Sequence, residues 1–103
     1  MNNPEDDKLV ILAKNTLARS AAASAAALRD STGRTYVAIS VKSPGLSLDA
    51  FEAVLTVALA SGITGIESVI AVGEKPSNIE AIKGVSGDAT MFYINADGEE
   101  LSL

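Results

Sequence analysis

The chain has 103 residues, of which 48% are hydrophobic and only 4% aromatic, a length that predicts one domain over residues 1–103 with a modest aliphatic core. Its formal net charge of -5 argues against nucleic acid and anionic membranes as partners, because both are bound through concentrated positive charge. The sequence contains no Cys and no His, which excludes disulfides, thiol and imidazole nucleophiles and ordinary zinc sites.

The first segment, MNNPEDDK, is acidic where a signal peptide is basic, and no run reaches the roughly 18 apolar residues that span a bilayer. We therefore expect a cytoplasmic protein. Pro4 and the acidic residues after it favour a helix that begins near Glu5. This helix is predicted to end near Arg19 and to face the core with one apolar stripe, at Leu9, Leu12, Ala13 and Leu17.

The next segment, SAAASAAALRD, has strong helix propensity, but it runs into a turn and a β-branched stretch, DSTGRTYVAISV. Propensity alone would extend the first helix to Leu28. The turn cluster from Asp30 to Gly33 favours a hairpin instead. The predicted hairpin pairs Ala22 to Leu28 with Thr35 to Val41, and a family resemblance given below also favours it.

The run GLSLDAFEAVLTVALASG predicts a helix from Leu48 to Ser61, with Ser47 as its N-cap and Gly62 as its stop signal. The helix is apolar on almost every side, so a single sheet is not expected to cover it. We therefore expect a homo-oligomer, a dimer or a tetramer, assembled through this helix. The candidate interface residues are Val54, Leu55, Val57 and Ala58.

The remaining segments predict shorter elements. IESVIAV has the composition of a buried strand, and SNIE at residues 77–80 has the spacing of a capping box for a short helix through about Lys83. TMFYI predicts a further strand, and NADGEE a turn into a last strand, ELSL. The order is helix, two strands, helix, strand, helix, two strands, which indicates an α/β fold with a mixed sheet.

Two acidic groups offer alternative chemistry. The pair Asp49 and Glu52, or the cluster from Glu5 to Asp7, could act as paired carboxylates, but a solvated helix end is the favoured interpretation. NADGEE brings oxygen ligands near a glycine but lacks the spacing and the terminal bidentate Glu of a calcium loop, so a hairpin turn is favoured there.

The runs AAALRDSTGRTYVAISVKS and LDAFEAVLTVALASG together resemble the hairpin and the zinc-site helix of the cytidine deaminases. In that family a hairpin of the type GAALLTEDGRVFTGVNVEN precedes a helix of the type CAERVAIFKAVSEG, and NLDGE precedes a last strand. The order and spacing match along nearly the whole chain. The resemblance implies a three-layer α-β-α sandwich with a mixed sheet of about five strands, and assembly through the same helix.

The positions that carry the chemistry of this family differ here. The resemblance places the first zinc ligand on Asp49 and the catalytic Glu on Phe51. The PCxxC motif should lie in GEKPSNIEAIKG, which keeps Pro76 but has no Cys. The substrate-holding Asn and Glu fall on Ser40 and Lys42. Hydrolytic deamination needs zinc to activate water and a carboxylate to move the proton. Because the matched positions supply neither the set of zinc ligands nor that carboxylate, we expect neither zinc nor any other cofactor.

These observations lead to the hypothesis of a catalytically inactive cytidine deaminase-like protein that acts as an assembly or binding module, for its own copies or for an unidentified protein partner. One alternative is a non-catalytic binder of a nucleoside-like small molecule. Another is a deaminase-type hydrolase that depends on a partner subunit for zinc. The first alternative requires polar groups to converge beside Phe51.

Overall fold

A mixed five-stranded sheet lies between two helical layers in the computed structural model, which describes residues 3–103. The strand order is β2-β1-β5-β6-β7, with β5 and β6 parallel and the other neighbours antiparallel. One helix covers one face and two cover the other, so the predicted three-layer sandwich is confirmed. The elements are α1 Pro4–Ala18, β1 Ser24–Asp30, β2 Thr35–Ile39, β3 Val41–Ser43, β4 Leu46–Leu48, α2 Ala50–Ala60, β5 Ile66–Gly73, α3 Ile79–Val85, β6 Thr90–Ile94 and β7 Glu100–Ser102.

The alanine-rich segment forms strand β1, and every residue of it is buried. Ala26 and Leu28 face α2, whereas Ala25 and Ala27 face α1. Because β1 is an inner strand that is covered on both faces, its small side chains let both helical layers approach closely, and this packing overrides the helix propensity of alanine. The predicted hairpin is confirmed.

The bounds of that hairpin differ from the prediction by about two residues. Strand β1 begins at Ser24 and continues to Asp30, and β2 ends at Ile39, opposite Ala25. At the turn, one carboxylate oxygen of Asp30 accepts hydrogen bonds from the amides of Thr32 and Arg34.

A small hairpin, β3–β4, precedes α2 and was not predicted. Leu48 pairs with Val41 in it, so the helix begins two residues later than predicted, at Ala50. The N-cap is Asp49 and the prediction of Ser47 is wrong, since Ser47 is a β4 residue. The helix ends before Gly62, whose φ of +83° suits the predicted stop signal.

The second half of the chain follows the prediction closely. TMFYI is β6, and IESVIAV is β5 with Gly73 added. The N-cap of α3 is Asn78 and not Ser77, and the helix continues to Val85. No helix among residues 3–103 is long and apolar enough to cross a membrane. The first two residues of the acidic lead lie outside the described residues.

Candidate functional site

The start of α2 is organised by a reciprocal capping box. The Oδ1 atom of Asp49 accepts a hydrogen bond of 2.8 Å from the amide of Glu52, and the Oε1 atom of Glu52 accepts one of 2.9 Å from the amide of Asp49. These bonds satisfy amides that a helix start leaves without partners. The spacing Asp-x-x-Glu carried this signal in the sequence, although a capping box was predicted only at residues 77–80.

The other oxygen of Asp49 reaches a distant part of the chain. Its Oδ2 atom accepts hydrogen bonds from the Ser77 amide at 3.0 Å, the Ser77 hydroxyl at 3.1 Å and the Asn78 amide at 2.9 Å. The Asn78 side chain also donates to Oε2 of Glu52 at 2.8 Å. Asp49 and Glu52 therefore join the beginning of α2 to the segment that enters α3.

A polar cleft of about 680 Å³ opens beside Asp49. Three of the four positions that the resemblance placed in the substrate and metal site line it, namely Ser40, Lys42 and Asp49. Six further polar side chains line it as well, of which only Glu52 had been paired with Asp49 from the sequence: Ser24, Ser47, Glu52, Glu74, Lys75 and Ser77. These residues come from four separate parts of the chain, so no local pattern could have grouped them.

Phe51, the fourth position, does not line this cleft. Its side chain is fully buried, at 0% exposure, and belongs to the core cluster between the sheet and the α2–α3 layer, with Val54 and Ile82. The polar groups therefore converge beside Asp49, two residues away along the chain. A phenyl ring has no group that transfers a proton, so the position matched to the catalytic Glu supplies none of the acid–base chemistry of deamination.

A second, smaller depression of about 360 Å³ lies on the opposite side of the sheet, between α1 and the ends of β5 and β6. Its lining is mostly apolar and includes the charged side chain of Lys14 and the polar side chain of Asn95. It contains no cluster of groups that could carry out a reaction, so the cleft beside Asp49 is the better candidate site.

The donor atoms at the matched ligand positions do not suit zinc. The PCxxC motif placed on Pro76 puts its two Cys positions on Ser77 and Glu80. Ser77 does lie against Asp49, but its hydroxyl donates to that carboxylate, and the Glu80 side chain is 79% exposed and 3.8 Å from Lys83. Residues 3–103 contain no group of three or more His, Cys, Asp or Glu side chains that could hold a metal ion. Zinc in proteins prefers thiolate and imidazole ligands, and this site offers neither.

The candidate interface residues on α2 fall into two groups. Val54, Leu55 and Ala58 are buried within the chain itself. Val57 is 42% exposed, and its neighbour Leu59 is 50% exposed. The sheet and α3 thus cover more of this helix than the sequence suggested, and the surface left for association narrows to Val57 and Leu59.

The charge of Asp49 predicts a pH dependence. Partial burial raises the pKa of Asp49, but hydrogen bonds from the amides of Glu52, Asn78 and Ser77 and from the Ser77 hydroxyl outweigh burial and hold the pKa below its ordinary value. The ionised carboxylate therefore stabilises the fold above its unfolded-state pKa of about 3.9, and this contribution is lost as the pH falls through the lower folded-state pKa.

We expect the difference in the free energy of unfolding between the unmodified protein and Asp49→Asn to shrink below about pH 4. Urea denaturation of both proteins at pH 7 and at several values below 4 measures it, and taking the difference cancels the contributions of other carboxylates. An equal difference at all pH values would contradict this role of the charge.

Comparisons with known proteins agree with the fold and with the resemblance. The sequence model of the family described as "Cytidine deaminase-like" matches residues 2–98. A solved structure, the crystal structure of cytidine deaminase from Mycobacterium leprae, is similar with a TM-score of 0.73 and 18% sequence identity, over 97% of this chain and 94% of that chain. The comparison with curated proteins gave no match. Since the family model covers nearly the whole chain, this protein belongs to the cytidine deaminase-like family.

Proposed function

We propose that this chain is a catalytically inactive member of its family that acts as an assembly or binding module in the cytoplasm. The observation that carries the proposal is the state of the two key positions: the Asp49 carboxylate is occupied by hydrogen bonds from Glu52, Ser77 and Asn78, and Phe51 is buried in the core. Neither position offers what zinc-dependent deamination requires.

Inactivity has a direct test. Purified protein supplied with zinc is expected to show no turnover of cytidine or deoxycytidine above the rate without protein. The double variant Asp49→Cys, Phe51→Glu is expected to remain inactive, because the second ligand pair would still be missing and a carboxylate would enter an apolar core. Turnover by the unmodified protein that a chelator removes would contradict the proposal.

The assembly role is supported by the exposed apolar side chains on α2. Val57 and Leu59 are exposed at the two edges of the outer side of α2, about 160° apart around the helix, and Thr56 and the small Ala60 lie between them. We propose that this face joins copies of the chain into a dimer or tetramer, because two such faces would cover each other in a symmetric contact.

Light scattering at micromolar concentration is expected to give the mass of a dimer or tetramer, and Val57→Lys is expected to lower it to that of a monomer that remains folded. Val54→Lys is a different experiment, since it places a charge inside the chain and should unfold the domain whatever its assembly. A monomer mass for the unmodified protein, with a native circular dichroism spectrum, would contradict the assembly proposal.

A second candidate function is the binding of a nucleoside-like small molecule in the cleft, favoured by its polar lining. The lysines of the lining, Lys42 and Lys75, have no ion pair with a carboxylate of residues 3–103, so they are available to a ligand. Calorimetric titration with cytidine tests this function. Saturable binding would favour it if Lys42→Ala weakens the binding and Lys14→Ala, a change on the opposite side of the sheet, leaves it unchanged. Absence of heat at millimolar cytidine would oppose it.

A further inference from the structure

The Asp49 side chain uses its two oxygens for different partners. Oδ1 accepts from the amide of Glu52 within α2, whereas Oδ2 accepts from the amide and hydroxyl of Ser77 and from the amide of Asn78, 28 and 29 residues away. A carboxylate offers about four acceptor positions. The three donors from Ser77 and Asn78 therefore saturate Oδ2, whereas Oδ1 accepts a single hydrogen bond from Glu52.

The partners of Oδ2 lie in a segment with no strand or helix of its own. Glu74, Lys75 and Ser77 line the cleft between the end of β5 and the beginning of α3. The amides of Ser77 and Asn78 are held by the side chain of Asp49 and not by a strand partner or a helical turn. Hydrogen bonds to a charged acceptor are stronger than those between neutral groups.

We propose that the Asp49 carboxylate is a metal-free clamp that fixes the 74–78 segment to the start of α2 and so holds one wall of the cleft in place. Two of the positions that the resemblance matched to zinc ligands, Asp49 and Ser77, are thus joined directly to each other. The bond of 2.8 Å between the Asn78 side chain and Glu52 reinforces the same junction. The clamp goes beyond the proposed function, because catalytic inactivity alone would not require these contacts.

Asp49→Ser separates the clamp from the helix cap. Serine is a good N-cap, so α2 keeps its cap, but its shorter side chain has one oxygen and cannot serve both segments. Backbone amide hydrogen exchange, followed residue by residue by NMR, is expected to become about tenfold to a hundredfold faster at Ser77 and Asn78, while the amide of Glu52 keeps its protection.

Asp30→Ser is the matched control. Asp30 also accepts hydrogen bonds from two amides and a hydroxyl, but in the β1–β2 turn, so its replacement should leave exchange at Ser77 and Asn78 unchanged. Dialysis of the unmodified protein against EDTA should leave it unchanged as well. Unaltered exchange in Asp49→Ser would overturn the clamp, and faster exchange after EDTA would show that a metal and not the carboxylate holds the segment. Neither of these exchange results depends on whether the cleft binds a nucleoside or whether the protein deaminates one.

Discussion

Replacing Phe51 with alanine is expected to lower the free energy of unfolding by about 3 to 5 kcal/mol. The side chain is fully buried, and it is the largest of the fully buried side chains in the described part of the chain. It packs in the cluster that joins α2 to β1, β5 and α3, where Val54, Val69 and Ile82 are also inaccessible to solvent. Removing the ring leaves a cavity that a core of aliphatic residues fills only in part.

Urea denaturation monitored by circular dichroism measures this loss. Ile11→Ala is the control, since Ile11 lies on the exposed face of α1 and a surface substitution typically changes stability by no more than about 0.5 kcal/mol. A loss of that small size for Phe51→Ala would mean that the ring does not fill the core. The position matched to the catalytic Glu would then be open to the cleft, and inactivity would rest on the missing zinc ligands alone.

Replacing Asp6 with alanine is expected to cost about 3 kcal/mol, the lower end of the range for breaking a buried ion pair. Arg29 on β1 is buried and donates to Asp6 on α1 at 2.8 Å and to Glu67 on β5 at 2.7 Å. Loss of Asp6 leaves the guanidinium buried with one carboxylate, and that of Glu67 is half-exposed. The Nη1 atom of Arg29 already has no hydrogen-bond partner among residues 3–103. The guanidinium therefore cannot fully replace the hydrogen bond that it loses with Asp6.

The double variant Asp6→Leu, Arg29→Met is expected to recover most of this loss, because apolar side chains of similar size avoid the cost of burying charges. Asp7→Ala serves as the control, since Asp7 is exposed in the same helical turn and its loss removes only an interaction with the helix dipole, about 0.3 to 1 kcal/mol. Urea denaturation curves of the unmodified protein and the three variants give the free energies of unfolding to be compared. Equal effects at Asp6 and Asp7 would show that the ion pair contributes nothing specific.

The sequence predicted most elements because their signals are local. TMFYI and IESVIAV have the β-branched and aromatic content of strands, and both form strands at these positions. The Ala-rich segment was different, since its own propensity favours helix and only the turn after Asp30 together with the family resemblance indicated a strand. The β3–β4 hairpin was missed because its strands are three residues long, too short for an alternating pattern to show.

The resemblance matched four positions to one site, and the structure separates Phe51, which is buried in the core, from the other three. The resemblance placed Ser40, Lys42 and Asp49 together, and all three line one cleft. The bonds from Asp49 to Ser77 and Asn78 span 28 and 29 residues, and no pattern along the chain signals such a pair. The same holds for Asp6, which reads as one of three acidic residues at a helix start and whose buried partner lies 23 residues away.

Zinc content tests the central claim most directly. The protein should be produced in zinc-supplemented medium, purified without chelator and analysed by inductively coupled plasma mass spectrometry against protein concentration, with Asp49→Ser prepared in parallel. The donor set around Asp49 predicts well under 0.1 equivalent of zinc, roughly the level of a non-specific trace, and the same value for the variant. One equivalent of zinc in the unmodified protein, lost in Asp49→Ser, would show that Asp49 is a metal ligand and would contradict both the inactive assignment and the metal-free clamp.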